Sequence, residues 1–296
     1  MKYIVPLFNI KDCELYAQKA DAVLCGMQNC SVRCVKDFNQ EEIKMIASEC
    51  QKYDLELAVA LNRFFLEEDL PLLEETLSFL KTLPVSRIYY SDESVLWCAM
   101  QLQMHHLLVY APETLVTNHL DAQYYIQEGI KGVVLSKDIT LEELCSISSQ
   151  CPNQCEVIIH GRVNIMHSRR NLLSSYMEFI GKDISLRNRR DLYLVEEKRE
   201  AKMPIMEDDM GTHVFSGYTL ASFHEIKELE KANVAYVRIE GIFHDVDYVL
   251  EALSLYQSIM QGEDPTSILE AYQNKYKDDN VNDGFYHQAT SKVKED

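Results

Sequence analysis

Short runs rich in β-branched and aromatic residues alternate with amphipathic stretches along most of this chain. Such alternation is typical of βα units arranged around a parallel sheet. The runs that we predict to be strands lie at residues 3–8, 22–26, 56–62, 87–91, 106–110, 132–135, 156–160 and 235–239. Eight strands in a chain of 296 residues suit a single (βα)8 barrel, which needs about 250 residues. We therefore predict an α/β fold, a TIM-like barrel.

The stretches between the predicted strands carry helical periodicity and capping residues. The predicted helices include residues 40–53, 67–80, 118–128, 141–149 and 223–232. One interval, residues 181–218 between strands seven and eight, is long and polar, with β-forming residues at 192–195 and 213–215. We predict an inserted hairpin or small subdomain there. The barrel with its insertion is assigned to residues 1–262, and residues 263–296 are expected to form a C-terminal helix and a polar tail.

Acidic residues dominate the composition. Asp and Glu number 47 against 29 Lys and Arg, which gives a formal charge of -18. A surface of this charge repels nucleic acids and anionic membranes, so an anionic partner needs a local basic patch. The N-terminus is apolar too briefly for a signal peptide, and no stretch approaches the roughly 20 apolar residues of a membrane span. Nine scattered cysteines favour reduced thiols. We expect a cytoplasmic protein without a membrane partner.

Basic residues concentrate directly after the seventh predicted strand. Residues 160–171 contain three arginines, two histidines and two asparagines, and residues 160–202 carry a net charge of +4. In a parallel barrel, strand ends and the loops that follow them face the active-site mouth. We therefore expect catalytic roles for His160, His167 and Glu240. The residues expected to bind a substrate or an anion are Arg162, Asn164, Ser168, Arg169, Arg170, Asn171 and Arg199.

Plainer interpretations of these residues stay open. The arginines can form salt bridges with nearby glutamates, and Glu240 can pair with one of them. Ser168 beside a histidine suggests a nucleophile, but no GxSxG elbow surrounds it. The acidic run 207–209 is expected to be a solvated loop. Two cysteine groups have spacings near those of metal sites, but neither contains a CxxC pair, and we expect no metal. These groups are Cys25-x4-Cys30-x3-Cys34 and Cys151-x3-Cys155.

Several separated blocks of the chain resemble peptidase family U32. The family signature has a strand that ends in His-Gly, a loop that contains a serine, and a pair such as Leu-Ser before a helix. Here these features are residues 156–161, Ser168 and residues 172–174. Further blocks resemble other family segments in the right order, so the likeness extends over almost the entire chain. These blocks are residues 20–26, 132–144, 193–199 and 237–241.

The resemblance implies oxygen-independent hydroxylation more than the old peptidase label of the family. Better-understood members hydroxylate RNA bases, including a tRNA wobble uridine with prephenate implicated, or quinone precursors. Many bind an iron-sulfur cluster through four cysteines. Two of those positions correspond to Asn164 and Asn171, the other two fall near residues 185–191, and no cysteine follows Cys155. Because amides do not replace thiolates for iron, we expect no iron-sulfur cluster and no other cofactor from this chain. Prephenate is the candidate co-substrate.

The chain also resembles a short branch of the family that accompanies a longer, cysteine-bearing U32 protein. Residues 284–290 share this likeness. The resemblance implies a tRNA hydroxylation factor that acts with a cluster-bearing paralogue or without a cluster. The expected partners are tRNA, a larger U32 paralogue and a small anionic molecule. A collagenase-like U32 peptidase and a non-catalytic subunit of a U32 heteromer are the alternatives, because one barrel hosts many functions.

Overall fold

The computed structural model describes residues 1–195, 197 and 202–288. At its centre lie eight parallel strands. They are β1 (Lys2–Pro6), β2 (Ala22–Met27), β3 (Glu56–Leu61), β4 (Val85–Tyr90), β5 (Leu108–Tyr110), β6 (Gly132–Val134), β7 (Cys155–Gly161) and β8 (Tyr236–Ile239). Each strand pairs with the next, and β8 pairs with both β7 and β1, so the sheet closes. The predicted TIM-like barrel is confirmed.

The described part of the chain contains ten α-helices, most of which pack around the barrel. They are α1 (Asp12–Tyr16), α2 (Gln40–Lys52), α3 (Leu70–Leu80), α4 (Glu93–Gln101), α5 (His119–Gln127), α6 (Leu141–Gln150), α7 (Leu172–Phe179), α8 (Ile226–Lys231), α9 (Val246–Gln261) and α10 (Pro265–Lys275). Helix α2 begins with a capping box, in which the Asn39 side chain accepts from the Glu42 N–H at 3.0 Å. Gly262, with a φ of 115°, ends α9 in the left-handed conformation that glycine adopts without strain. No helix in the described part of the chain is long and apolar enough to cross a bilayer.

Two apolar layers stabilise the barrel. The larger layer lies between the strands and the helices and contains buried residues such as Val23 and Leu77. The smaller layer contains short side chains, among them Ala22 and Ala58, together with Ile4. Because successive side chains of a strand point to opposite faces, neighbouring positions such as Ala22 and Val23 contribute to different layers.

A buried carboxylate, Glu156 of β7, lies between one arginine on the neighbouring strand β8 and another on the more distant strand β4. Its two oxygens lie 3.5 Å from Arg87 Nη2 of β4 and 3.4 Å from Arg238 Nη1 of β8. The hydroxyl of Tyr89 also donates to Glu156, and the Arg87 guanidinium lies 3.8 Å from the centre of the Tyr236 ring. A buried charge is tolerated only when it is paired and hydrogen-bonded. These contacts therefore fix β4, β7 and β8 relative to one another.

The chain leaves the barrel after β7 and forms a second, antiparallel sheet before β8. This insertion sheet contains the strands Tyr193–Val195, Lys202–Asp208, Gly211–Phe215 and Asn164–Ser168, in that order. The β-forming segments 192–195 and 213–215 both contribute to it. The sequence does not predict the strand Asn164–Ser168, because only two of its five residues, Ile165 and Met166, are apolar.

The segment after α10 covers the wall of the barrel beside β7. Its strand Val281–Asn282 pairs in parallel with Thr219–Ala221, and that strand pairs antiparallel with the end of β7. Tyr286 is buried, and its hydroxyl lies 2.8 Å from the Ser222 hydroxyl. The C-terminal segment is therefore part of the packed structure at least as far as this tyrosine.

We predict that Glu156→Gln lowers the free energy of unfolding by about 3–5 kcal/mol, because the buried Arg87 loses its counter-charge and Arg238 keeps only Glu240. Urea unfolding followed by circular dichroism measures the change. Glu263→Gln, at an exposed position, serves as the control and is expected to stay within about 0.5 kcal/mol of the parent protein. Equal unfolding midpoints for the two variants would contradict this role of Glu156.

Candidate functional site at the barrel mouth

The C-terminal ends of the barrel strands surround a polar cavity, which we name the mouth cavity. Its polar lining comes from β8 and from the segments that follow β2, β3, β5 and β7. These residues include Arg33, Asn62, Glu113, Arg162, Asn164, Arg238 and Glu240. Ligands and catalytic groups of TIM-like barrels lie at this end. The mouth cavity is therefore the candidate functional site.

Arg33 and Glu113 form an ion pair in the mouth cavity. Arg33 Nη2 lies 3.1 Å from Glu113 Oε1. Both residues have positive φ angles, 59° and 72°, which cost a non-glycine residue of order 1 kcal/mol or more. Burial opposes the ionisation of Glu113, but the cations Arg33, Lys137 and Arg238 outweigh it and lower the pKa of the carboxyl. The pair is thus charged and held in a strained position by the structure around it.

Arg33 retains a hydrogen-bond donor for a ligand. Its side chain is only 9% exposed, and its Nε has no hydrogen-bond partner among the described residues. A buried N–H without a partner is costly, so an acceptor placed there gains free energy. The planar guanidinium suits a carboxylate or a phosphate. The mouth cavity therefore offers an anion position beside Arg33.

Glu240 lies in the mouth cavity, as the strand-end rule predicts for this residue. Arg238 Nε lies 2.9 Å from Glu240 Oε1, and the same arginine reaches Glu156 deeper in the barrel. Burial raises the pKa of the Glu240 carboxyl, and the charge of Arg238 opposes this effect. A carboxyl whose pKa is moved toward neutrality can donate or accept a proton. The catalytic role of Glu240 stays a prediction.

Two of the predicted anion-binding residues, Arg162 and Asn164, line the mouth cavity but already have protein partners. Arg162 donates to the Ser216 carbonyl at 2.9 Å and to Asp279 Oδ1 at 3.0 Å. The Asn164 amide donates to the Val214 carbonyl at 3.0 Å. These contacts join the two ends of the insertion and the C-terminal segment to the mouth. A ligand can therefore bind only those polar atoms of Arg162 and Asn164 that these hydrogen bonds do not use.

His167 belongs to the insertion sheet and lines a pocket that shares Arg33 and Glu113 with the mouth cavity. Its ring stacks on His213 at 4.6 Å, and the two Nδ1 atoms are 3.0 Å apart. His213 Nε2 lies 3.3 Å from Asp208 Oδ1. Burial, assisted by the charges of His213 and Arg33, lowers the pKa of His167 to about 4. Because Asp208 only accepts, His213 donates through Nε2 and accepts through Nδ1. In this tautomer His167 donates through Nδ1, and its Nε2 is an acceptor without a hydrogen-bond partner among the described residues.

His160 does not line the mouth cavity. A bulge in β7 shifts its register against β8, so that His160 pairs with Ile239. The ring is fully buried beside α9 and α10, with Nδ1 3.3 Å from the Tyr256 hydroxyl and Nε2 3.0 Å from the Tyr272 hydroxyl. Burial lowers the pKa of His160 to about 3. We expected this ring to face the mouth, but the bulge turns it toward the helices. Its contacts with Tyr256 and Tyr272 give His160 a packing role.

The other predicted anion-binding residues lie on the insertion. Arg169, Arg170 and Asn171 are exposed. Ser168 Oγ accepts from the backbone N–H of Arg170 at 3.2 Å, and Asn171 precedes α7 without a side-chain cap bond. Arg199 lies outside the described residues. None of the described members of this group lines the mouth cavity, and Arg169, Arg170 and Asn171 lie on an outer surface.

The acidic run 207–209 differs from the solvated loop that its composition predicts. Glu207 is 1% exposed and lies in the strand Lys202–Asp208. Its Oε2 accepts from the backbone N–H groups of Leu173 at 2.8 Å and Ser174 at 3.3 Å. A carboxylate at a helix N-terminus satisfies free N–H groups and complements the helix dipole. Glu207 therefore anchors α7 to the insertion sheet.

The cysteine spacings do not form a metal site in the described part of the chain. One group of three side chains has donor atoms within 4.8 Å of one another there, and it contains no cysteine. Its members are Glu225, Asp283 and His287. Cys25 and Cys30 are buried, and burial raises the pKa of both thiols. These cysteines are therefore packed as thiols within the core.

The residues present do not fit an iron-sulfur cluster. The family resemblance implies cluster cysteines at Asn164, at Asn171 and near residues 185–191, and none of these positions holds a cysteine. The Asn164 amide already donates to a backbone carbonyl. Iron-sulfur clusters need thiolate ligands, or imidazole in a few cases, and amides do not substitute for them.

Three residues of the mouth cavity, Arg33, Glu113 and Arg238, are not predicted from the sequence. Arg33 and Glu113 are 80 positions apart and meet only when the barrel closes. A signal was available, because both residues follow predicted strands by a few positions, as Glu240 does. Arg238 lies two residues before Glu240, and side chains two positions apart on a strand share a face.

The closed parallel barrel, with an insertion after its seventh strand, defines a TIM-like α/β protein. The charged cavity at the carboxyl ends of its strands is its candidate ligand site. Comparison with known proteins assigns the family. The sequence pattern of Peptidase family U32 matches residues 11–296. The chain belongs to this family, as the resemblance of its separated blocks predicts.

Several relatives of known name match most of the chain. The "tRNA hydroxylation protein P2" of Bacillus subtilis (strain 168) is 26% identical over 241 residues, which are 80% of this chain and 78% of that protein. The "Uncharacterized protease MJ0090" of Methanocaldococcus jannaschii is 26% identical, with 92% and 69% covered. Among solved structures, "The Structure of the U32 Peptidase Mk0906" has a TM-score of 0.51 at 12% identity and covers 81% of this chain and 92% of that one. This likeness supports the fold alone.

We predict that the free energy of unfolding decreases less between pH 7 and pH 5 in His160→Phe than in the parent protein. The folded-state pKa of about 3 lies below the ordinary value of 6.5, so the stabilisation is complete above pH 6.5 and is lost as the pH falls toward 3. Between pH 7 and pH 5, His160 is therefore expected to lower the free energy of unfolding of the parent protein by about 2 kcal/mol. Urea unfolding at both pH values measures the difference. Parallel losses in the two proteins would contradict a buried neutral His160.

Proposed function

We propose that this chain is a tRNA hydroxylation factor whose mouth cavity binds a small anionic molecule. The observation that carries the proposal is Arg33, which lines the mouth cavity and whose buried Nε has no hydrogen-bond partner among the described residues. Relatives named tRNA hydroxylation proteins, such as the one from Bacillus subtilis, support the reaction class. A tRNA substrate also implies action in the cytoplasm.

The ligand that we propose for the mouth cavity is a carboxylate, with prephenate as the first candidate. Arg33 and Arg238 supply two positive charges, while Glu113 and Glu240 hold them in place. A carboxylate can pair with a guanidinium through two parallel hydrogen bonds. Glu240, whose pKa burial raises, is then placed to exchange a proton with the bound molecule.

The reaction itself needs chemistry that these residues do not provide alone. Hydroxylation requires an oxygen donor and a two-electron oxidation, and acidic, basic and amide side chains supply neither. The residues present do not fit a cluster, so we propose that a larger, cluster-bearing U32 paralogue acts together with this chain. The chain then contributes the mouth cavity and its bound anion.

A peptidase function has less support in the geometry. Peptide hydrolysis requires an activated nucleophile or a metal-bound water. Ser168 Oγ accepts from a backbone N–H, and His167 Nδ1 is directed to His213, so these two neighbours form no serine-histidine dyad within the described residues. The family name alone therefore does not favour proteolysis for this chain.

We predict that Arg33→Gln fails to restore tRNA hydroxylation in a strain that lacks the gene. The variant removes the cation that receives the ligand, and we expect the 5-hydroxyuridine derivatives to fall by at least about tenfold. Mass spectrometry of total tRNA nucleosides measures them, with protein levels checked by immunoblot.

Arg189→Gln is the matched control, because Arg189 is exposed and pairs only with Asp191 among the described residues. It should restore the modified nucleosides fully. Unchanged nucleosides in the deletion strain, in the absence of a compensating paralogue, would exclude the proposed function. Full restoration by Arg33→Gln would exclude the mouth cavity as the site.

A further inference from the structure

Three metal-ligating side chains meet where the C-terminal segment covers the barrel wall. They are Glu225, which directly precedes α8, and Asp283 and His287 of the C-terminal segment. Each offers one ligand atom, and these atoms lie within 4.8 Å of one another. We name this group the wall cluster. None of its members lines the mouth cavity, so the wall cluster is distinct from the candidate functional site.

A turn in the C-terminal segment brings Asp283 and His287 together. Gly284 has a φ of 61°, a conformation that favours glycine, and the Tyr286 N–H donates to the Asp283 carbonyl at 3.3 Å. Tyr286 is buried, and its own carbonyl accepts from the Leu141 N–H of α6 at 3.0 Å. The turn is therefore fixed on the barrel wall by backbone contacts and by a buried side chain.

Glu225 is the buried member of the wall cluster. It is 3% exposed, and its Oε1 lies 3.1 Å from His287 Nε2. Its other oxygen, Oε2, is buried and has no hydrogen-bond partner among the described residues. Burial raises the pKa of the Glu225 carboxyl, and the hydrogen bond with His287 opposes this effect. A buried carboxylate oxygen without a partner is costly, so a cation placed there gains free energy.

The wall cluster lacks a permanent counter-charge. No lysine or arginine of the described residues lies within 4.0 Å of a carboxylate oxygen of Glu225 or Asp283. The basic group that contacts both carboxylates is the His287 ring, which is charged only when it is protonated. Two carboxylates therefore share one group of variable charge. A bound dication would neutralise both of them.

The donor atoms of the wall cluster select the class of metal. One imidazole nitrogen and two carboxylate oxygens are ligands that zinc accepts, with tetrahedral geometry as the preferred arrangement. Calcium and magnesium prefer six or more ligands, all of them oxygen atoms. Three protein ligands leave one tetrahedral position for a water molecule. The wall cluster therefore suits zinc better than a hard cation.

The spacing of the ligand atoms also suits zinc. Bonds of about 2.0–2.2 Å to a tetrahedral ion place neighbouring ligand atoms about 3.3–3.6 Å apart. Here His287 Nε2 lies 3.1 Å from Glu225 Oε1 and 3.9 Å from Asp283 Oδ2. The side chains of His287 and Asp283 are 58% and 46% exposed, so both have room to adjust. Binding of the ion therefore requires no movement of the buried backbone.

From these observations we infer that the wall cluster binds a zinc ion, which fastens the C-terminal segment to the barrel wall. Glu225 supplies a ligand from the barrel, and Asp283 and His287 supply ligands from the C-terminal segment. The cysteine spacings predict no metal, but this group contains no cysteine. Glu225 and His287 are 62 positions apart, so the sequence gives no sign that they meet. The inference does not depend on the proposed function, because the mouth cavity takes no part in it.

Isothermal titration calorimetry with zinc chloride alone tests the inference on the purified full chain, after EDTA has removed bound metal. We expect the parent protein to bind about one zinc ion per chain. His287→Ala and Asp283→Asn each remove one ligand, and each should weaken zinc binding by at least about tenfold. Both side chains are partly exposed, so both variants are expected to fold.

His106→Ala and Asp278→Asn are the matched controls, because both residues are exposed and lie outside the wall cluster. Each should bind zinc as the parent protein does, and circular dichroism should show all four variants folded. The absence of saturable zinc binding by the parent protein would overturn the inference. Equal zinc affinities for the parent protein and both ligand variants would also overturn it, because the zinc bound would then be an adventitious ion only.

Hydrogen exchange separates a zinc site from a simple ion pair between His287 and Glu225. With zinc in excess, the backbone amides of residues 283–288 should exchange at least about tenfold more slowly in the parent protein than with EDTA. The same amides in His287→Ala should exchange equally in zinc and in EDTA. Equal exchange under the two conditions in the parent protein would assign the contact to an ion pair alone and overturn the inference.

Discussion

The contact of Glu156 with Arg87 and Arg238 is the interaction on which the rest of the structure depends. It joins three strands that are distant in sequence, and it lies where a carboxylate cannot remain without cations. Arg238 also extends toward the mouth, where it meets Glu240. Arg238 therefore belongs both to the buried ion pairs inside the barrel and to the ion pairs of the candidate site. A substitution in this buried cluster is therefore expected to affect the candidate site at the mouth.

The bulge in β7 determines which residues reach that site. By shifting the register against β8, it leaves His160 among the aromatic residues of α9 and α10. The chain then enters the insertion sheet with Asn164 at the mouth cavity and His167 against His213. One irregular strand thus separates a packing histidine from a histidine beside the candidate site.

Much of the fold follows from the sequence, and the site follows only in part. Eight β-rich runs at regular spacing predict the barrel because hydrophobic periodicity is local. Glu240 is found by the strand-end rule for the same reason. Arg33 and Glu113 escape prediction because they lie in loops and meet across 80 positions. His160 is misplaced because a one-residue bulge reverses the direction of a side chain and has no sequence signal here. An acidic residue such as Glu207 is expected to be exposed, but it is buried because backbone N–H groups at the N-terminus of α7 donate to its carboxylate.

The central claim is that the mouth cavity binds an anionic small molecule through Arg33. Isothermal titration calorimetry of the purified chain with prephenate tests it most directly, in the parent protein and in Arg33→Gln. The account predicts saturable binding by the parent protein that weakens with salt and is lost in the variant. The absence of binding to the parent protein, or equal affinity in both, would contradict it.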